Sequence, residues 1–545
     1  MDPAESEVNG KAKGEATGKA TVEVTARAGG RSNGQGLLVG RGALTPEKLV
    51  ERLRGRRLAV VGIGVQNLPL IEFLCSLGLS VTAFDQKSQE QLGARLTRLA
   101  GLPVEYVTGP SYLDSLPGHD VIFLTPGIKK DLPQLTEARR CGAEISSEVG
   151  LSFAMCRAPI WGVTGSAGKT TTTTLVHTLL STKYRTYVGG NIGQPLIKEA
   201  AAIPPDSRVV FELSSFQLEL MDTSPEVAGV LNISPNHLNV HNSMYEYVEA
   251  KKNIYRFQNL GGWVVLGASS PETRQMAEEC LAAGYERVAV FGLGVRPSGG
   301  PAVTAPAGAA VLAWSHQGSI YISADPEAAP SLTRNNSRDA GGIFICREDE
   351  LQIPGAHNVA NVLGALSLAA PAGLDQRAVR DAITSFRGVE HRLEPVATVD
   401  GVLYINDSIA TAPDRTMAAL DAMAGRGDLI FILGGYDKKI PFDELAEKLV
   451  DPRYRVKALI LIGVTAEQIA DAVRHAAEKA GPDANLPPMY PAKDYRQVVE
   501  QARRLASPGD VVLLSPACAS YDMFNNFEER GQLFKDLVRK LPKQG

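Results

Sequence analysis

The 545-residue chain carries 56 Lys and Arg against 60 Asp and Glu, and is 44% hydrophobic and 21% charged. That length exceeds one ordinary domain and predicts two to four. A formal charge of -4 excludes a broad nucleic-acid-binding face, and no apolar run approaches the ~20 residues of a bilayer-spanning helix. The six cysteines (Cys75, Cys141, Cys156, Cys280, Cys346, Cys518) form no C-x-x-C pair, and the N-terminus has no apolar signal core. A cytoplasmic protein with six buried free thiols is therefore expected.

Residues 1–50 read as a disordered tail, because Gly, Ala, Thr, Lys and Glu dominate and large apolar side chains are nearly absent up to about Gly42. A first domain is predicted over 51–156. The run Leu58–Val61 reads as a buried strand, followed by Gly62-Ile-Gly64-Val65-Gln66-Asn67 and a helical pattern. Further strands end at Asp85 and at Thr125-Pro126-Gly127, a Rossmann-type beginning. Asn67 replaces the third glycine of a dinucleotide fingerprint. A ribose contact through Asp85 and a tight turn with no ligand are thus equally open.

A second α/β domain is predicted over 157–390, with a loop-rich insertion at about 296–340, where Gly, Pro, Ala, Ser and Asn accumulate. It opens with a strand leading into Thr164-Gly165-Ser166-Ala167-Gly168-Lys169-Thr170-Thr171 and a helical run. Small residues at a helix N-terminus let backbone N–H groups surround phosphate oxygens. Lys169 would reach the β- and γ-phosphates, and the Thr170 hydroxyl would ligate Mg²⁺. Val163 stands where the strict form of this loop has glycine. Glu212, at a strand's C-terminal end, is a candidate ligand for a hard cation. Locally, Glu219 reads as a solvated helix residue, His237 as a polar packing residue or a ligand, and Lys251-Lys252 as a solvated pair. A third α/β domain is predicted over 391–545, with strands near 402–405, 429–433, 458–462 and 511–514.

These motifs, taken in order, resemble the Mur ligases. The resemblance is carried by Thr164–Thr171, Gly189-Gly-Asn191-Ile-Gly193, Glu212-Leu-Ser-Ser-Phe216, Asn236-His237-Leu238, His357-Asn358-Val-Ala-Asn361, His391-Arg392, Asp407-Ser408 and Gly434-Gly435. It covers nearly everything from about Leu58 onward. Ser515–Gly531 is similar to the segment of members that add D-glutamate.

The resemblance implies three α/β domains: a Rossmann-like domain for the UDP-substrate, a central P-loop ATPase-like domain and a C-terminal Rossmann-like domain. It implies ATP-driven amide formation between UDP-N-acetylmuramoyl-L-alanine and D-glutamate, with two Mg²⁺ sites, by a monomer. Gly165, Ser166, Ala167, Gly168, Lys169, Thr170, Thr171, Asn358, Asn361, Arg392 and Asp407 would bind ATP. Gly64, Val65, Gln66, Asp85, Pro126, Gly127, Asn191 and His237 would bind the UDP-substrate. Thr411, Lys438, Ser520, Tyr521 and Phe527 would hold D-glutamate. Lys169, Glu212, His237 and a carbamylated Lys251 would be catalytic, and Thr170, Glu212, His237 and Lys251 would hold metal.

Four positions depart from the family pattern: Ala167 for asparagine, Asn239-Val240 for Asp-Arg, Ile409 for lysine and Asn525 for lysine. Three other readings compete: a ligase for a different amino acid, a non-catalytic nucleotide sensor, and a nicotinamide enzyme suggested by Gly62-x-Gly64.

Overall fold

The computed structural model describes residues 40–542 except 65, 235–242, 296–304, 324–337, 340, 341, 354, 439, 482 and 483. His237, Val65 and residues 1–39 of the expected tail therefore lie outside the described residues.

Strands β1 (Leu58–Val61), β2 (Val81–Asp85), β3 (Val104–Thr108), β4 (Val121–Leu124) and β5 (Glu144–Ser146) form a parallel sheet in the order β3-β2-β1-β4-β5. The chain reverses direction across β1, so a crevice opens at the carboxyl ends of β1 and β4. Leu58–Val61 and Val121–Leu124 are uniformly apolar because helices cover both faces of such a sheet.

The second sheet has ten strands among the described residues. β6 (Ile160–Thr164), β7 (Thr186–Gly190), β8 (Arg208–Glu212), β9 (Val227–Val230), β10 (Trp263–Gly267), β11 (Arg287–Leu293) and β12 (Ala310–His316) run parallel, in the order β7-β8-β6-β9-β10-β11-β12. β13 (Ser319–Ser323), β14 (Arg338–Asp339) and β15 (Gly342–Arg347) add an antiparallel edge. The third sheet holds β16 (Glu394–Val399), β17 (Val402–Asn406), β18 (Leu429–Leu433), β19 (Val456–Ile462), β20 (Met489–Ala492) and β21 (Val511–Leu514), ordered β16-β17-β21-β18-β19-β20. Only β16 is antiparallel there. The α/β, three-domain reading therefore holds.

Three expectations are corrected. The tail expected through residue 50 is shorter, because a helix spans Pro46–Leu53 with Leu49 and Leu53 buried. Thr45 Oγ1 accepts from the Lys48 amide at 3.3 Å, and Pro46 sits at the first helical position, where its fixed φ suits the helix. The insertion is not loop-rich throughout: β12 and β13 form a hairpin that buries Trp314 completely. The Trp314 ring stacks on Tyr321 with centroids 5.9 Å apart. It also lies over Gly342, where a Cβ would come within 2.3 Å of the ring. Finally, Cys141 is exposed while the other five thiols are buried.

The first and second sheets are tied by charge. Glu72 pairs with Arg98 in its own domain and with Lys198 (2.5 Å) across the boundary. The Arg98 contact, joined by Lys198, pulls the Glu72 carboxyl down to about 2. Glu219, expected to be solvated, pairs with Lys130 of the first domain.

Trp314→Ala should destabilise the protein by about 3–5 kcal/mol, the cost of emptying a buried aromatic site. A side chain in a surface loop would cost under ~0.5 kcal/mol on the same substitution, and chemical denaturation separates the two.

Candidate active site

The phosphate loop leaves the all-buried strand β6 and enters the helix Lys169–Ser181. Gly165 and Gly168 adopt φ of 158° and 81°, and a Cβ on Gly168 would lie 2.2 Å from Asn361 Oδ1. Both backbone conformation and space therefore require glycine at 168. Asn232, just after β9, holds the loop from the side. Its Oδ1 accepts from the Ala167 amide (2.9 Å), its carbonyl accepts from the Ser166 amide (2.9 Å), and its Nδ2 donates to the Ala167 carbonyl (3.1 Å). Lys169 Nζ donates back to the Gly165 and Ser166 carbonyls at 2.9 and 3.1 Å. Its surroundings lower its pKa, chiefly by desolvation, while Glu212 opposes the shift.

Glu212 ends β8, is 1% exposed, and accepts from Asn191 Nδ2 on Oε1 at 2.9 Å. Its Oε2 is buried with no hydrogen-bond partner. Close packing places it, since a Cβ on Gly190 would stand 2.1 Å from the Glu212 carbonyl oxygen. Lys251, on the helix Met244–Arg256, is also 1% exposed, so the solvated-pair reading fails for it. Its Nζ donates to Thr164 Oγ1 (3.2 Å) and the Gly165 carbonyl (3.0 Å), and lies 4.7 Å from the centre of the Tyr247 ring. Burial pushes the ammonium well below a lysine's ordinary pKa, and the Lys169 charge adds to this. Lys252 is not free either, because it pairs with Glu249 and Glu279.

The third domain faces these groups with the loops after β17, β18 and β21. Asp407 is buried, accepting from Ser515 Oγ (2.8 Å) and the Leu393 amide (3.1 Å). Desolvation nevertheless raises its carboxyl to about 6, partly opposed by Arg392 and Arg415. Arg392 lies in the cleft, crowded by protein yet exposed on its open side. Desolvation lowers its pKa, while Glu212 of the second domain and Asp407 of its own favour its charge. Lys438 Nζ donates to the Thr411 carbonyl (2.9 Å) and Oγ1 (3.2 Å). Ser520 Oγ is buried without a partner, Phe527 begins the helix Phe527–Arg539, and Tyr521 is exposed, edge-on to Tyr436.

At the first domain's crevice, Gly64, Gln66, Asp85, Pro126 and Gly127 gather at the ends of β1, β2 and β4. Both Asp85 oxygens are engaged by the chain itself, Oδ2 by the Ile63 amide (2.8 Å) and Oδ1 by the Lys87 amide (2.9 Å). Asn67 holds Val61, Gly62 and Thr125 together through Nδ2 at 3.0, 3.1 and 2.9 Å. Asn191 sits apart from this group, beside Glu212. Asn358 and Asn361 share one helix and are joined at 3.2 Å.

Sequence reasoning missed Tyr247, Asn232, Ser515, Arg415 and Arg530. Tyr247 stands four residues before Lys251, on the same helix face, and its OH meets Ser166 Oγ at 3.0 Å. Arg530 is wholly buried and binds Ser408 Oγ (2.9 Å), the Ser408 carbonyl (2.8 Å) and the Cys518 carbonyl (3.0 Å). No local pattern marks it.

Glu212 Oε2 without a partner and the Thr170 hydroxyl at the loop end are oxygen donors that suit a small hard cation, whereas the Lys251 amine as it stands does not. Among the described residues no cluster of three His, Cys, Asp or Glu exists. Phosphate oxygens and water would thus complete such a site, as magnesium prefers.

A phosphate loop at one sheet's switch point, faced by a cationic rim on another domain, is the arrangement of a multidomain enzyme that handles a nucleotide's phosphates. Residues 163–369 match the Mur ligase middle domain, 391–518 the Mur ligase, glutamate ligase domain, and 56–147 the Mur ligase MurD-like, N-terminal domain. The chain is 47% identical to the UDP-N-acetylmuramoylalanine--D-glutamate ligase of Symbiobacterium thermophilum, over 89% of this chain and 98% of that protein. Against the enzyme of the same name from Acetivibrio thermocellus the figures are 39%, 90% and 98%. A crystal structure of MurF from Acinetobacter baumannii aligns with TM-score 0.50 at 16% identity, over 89% of this chain and 92% of that one, which shows the fold alone. The chain belongs to the Mur ligase family and is an ATP-dependent, amide-bond-forming ligase.

Because the folded Asp407 carboxyl titrates near 6 against an ordinary 3.8, the folded state holds its proton more tightly than the unfolded state does. That contribution to stability is complete below about 3.8 and is lost as pH rises through 6. The stability of ligand-free wild type relative to Asp407→Asn should therefore fall by on the order of 2–3 kcal/mol between pH 4 and 6.5, read by denaturant unfolding.

Proposed function

We propose that this chain joins D-glutamate to the alanyl carboxylate of UDP-N-acetylmuramoyl-L-alanine, with cleavage of ATP to ADP and phosphate, in the cytoplasm. The observation that carries the reading is electrostatic. Arg392 of the third domain lies near enough to Glu212 and Lys169 of the second for their charges to interact, which supports a cleft shared by the phosphate loop and the loops of the third domain.

The alanyl carboxylate oxygen attacks the γ-phosphorus and ADP leaves, giving an acyl phosphate. The D-glutamate amine then attacks the acyl carbon, phosphate departs with the bonding pair, and the amine's surplus proton passes to solvent. Lys169, resting on two loop carbonyls, exchanges them for phosphate oxygens. Arg392 and Asp407 contact ATP from the opposite wall, where Arg392 neutralises charge. Thr411, Lys438, Ser520 and Phe527 hold D-glutamate. Gly64, Gln66, Asp85, Pro126 and Gly127 hold the UDP-substrate at the first crevice.

Thr170, Glu212, a carbamylated Lys251 and His237 would hold Mg²⁺, which supplies charge neutralisation at the transferred phosphoryl group. A neutral Lys251 amine is the form that adds to CO₂, losing a proton and becoming an anionic carbamate. Its burial and depressed pKa support this reading. Incubation with ¹³C-bicarbonate should give a carbamate carbon signal that Lys251→Ala lacks. A wild-type protein without the signal would remove the carbamate from the mechanism.

Phosphate release with ATP, Mg²⁺ and UDP-N-acetylmuramoyl-L-alanine should require D-glutamate, and Lys169→Ala should slow it by about 10²–10³-fold. Equal release with L-alanine or a diamino acid would reassign the acceptor. Absence of release with every amino acid would reject the ligase mechanism.

A further inference from the structure

The proposed acceptor pocket has a charge imbalance. D-glutamate brings two carboxylates, yet of the four side chains assigned to it above only Lys438 is cationic. The loop Asn406–Ala412 contributes Ile409, which carries no charge, at the turn between Asp407 and Thr411.

Arg415 stands one step further, in the first turn of the helix Pro413–Met423. A cation there opposes the helix dipole, so nothing local recommends it. Its side chain is exposed, and Nη1 reaches back to the Ile409 carbonyl at 3.5 Å, over the turn that positions Thr411. The Thr411 amide is itself bonded to that carbonyl at 2.8 Å, and Thr411 holds Lys438. Arg415 forms no ion pair with a described residue, although Asp414 adjoins it. Its charge is felt by Lys438, and by Lys169, Arg392 and Asp407. Through the Ile409 carbonyl that it shares with the Thr411 amide, and through Thr411 to Lys438, the guanidinium stands at the edge of the acceptor pocket.

We propose that Arg415 is the second carboxylate-binding cation of the acceptor pocket, receiving one carboxylate of D-glutamate while Lys438 receives the other. This rests on the D-glutamate reading above. A guanidinium suits the task because it can meet a carboxylate with two parallel N–H donors, and because it stays charged in a cleft that lowers the pKa of Lys438. The helix places the cation where Ile409 leaves the loop apolar.

The test is steady-state kinetics of Arg415→Met and Arg415→Lys in the full-length enzyme, varying D-glutamate, ATP and UDP-N-acetylmuramoyl-L-alanine in turn. Arg415→Met should raise KM for D-glutamate by about 10- to 100-fold, with the other two KM values changed less than about 2-fold and kcat less affected than KM. Arg415→Lys should recover part of the loss, and so should Ile409→Lys placed in the Arg415→Met background. A fall in kcat or a rise in KM for ATP, with KM for D-glutamate unchanged, would assign Arg415 to the phosphate and overturn the proposal. Wild-type enzyme that turns over with another amino acid instead would overturn the acceptor assignment itself, and is seen before any variant is made.

Discussion

In the proposed reaction three anionic partners meet in the cleft: the terminal phosphates of ATP, a carboxylate that attacks them, and an amino acid with two carboxylates. Mutual repulsion has to be removed without drowning the site in water, which would hydrolyse an acyl phosphate. The cleft holds Lys169, Arg392, Arg415 and Lys438, countered among the described residues chiefly by Glu212 and Asp407. Such a set is unfavourable with nothing bound, because each charge is desolvated beside others of its own sign. The lysines and Arg392 are pushed down by desolvation and by one another, while desolvation pushes Asp407 up.

The backbone carries part of that strain. Residues His391 and Leu393, flanking Arg392 at the entry to the third domain, adopt φ of 62° and 43° without being glycine. Contacts hold them there: the His391 amide donates to Glu394 Oε2 at 2.8 Å, and Asn406 Nδ2 meets His391 Nδ1 at 2.9 Å. Conformations of this sort persist only where surroundings over-determine them, and here they aim Arg392 into the cleft. Arg530 performs the same service for the Asp407–Thr411 loop by gripping Ser408 from within.

Close packing sets the remaining geometry. Gly168 against Asn361 seats the phosphate loop on the helix Ala356–Ala369, and Gly190 against the Glu212 carbonyl fixes where that carboxylate emerges. Of the departures from the family pattern, Ala167 leaves the backbone cradle intact because Asn232, just after β9, supports it. Asn525 turns away to bond Glu529. Ile409 leaves the Asp407–Thr411 turn without the charge of a lysine, and Arg415 on the helix that follows brings one to it.

Much was legible in the chain itself. Apolar runs such as Leu429–Leu433 announce parallel strands because both faces of each sheet are covered, and the glycines around Lys169 announce phosphate because their spacing and strand-helix context are local properties. Even the helix at Pro46 had a local signature, Thr-Pro-Glu before leucines four apart, hidden only by the composition of the tail. Burial and charge environment were different. Lys251 reads as half of a solvated pair until contacts 86 and 87 residues away enclose it, and Arg530 acquires its role from Ser408, 122 residues upstream. Trp314 looks like loop until β13 and β15 close over it. Period and turn chemistry, acting over a few residues, thus determined the strands, the three α/β units and the phosphate loop from sequence by itself. Which amine is desolvated and which cations share a cleft was decided only when distant segments excluded water together, because desolvation depends on everything packed around a charge.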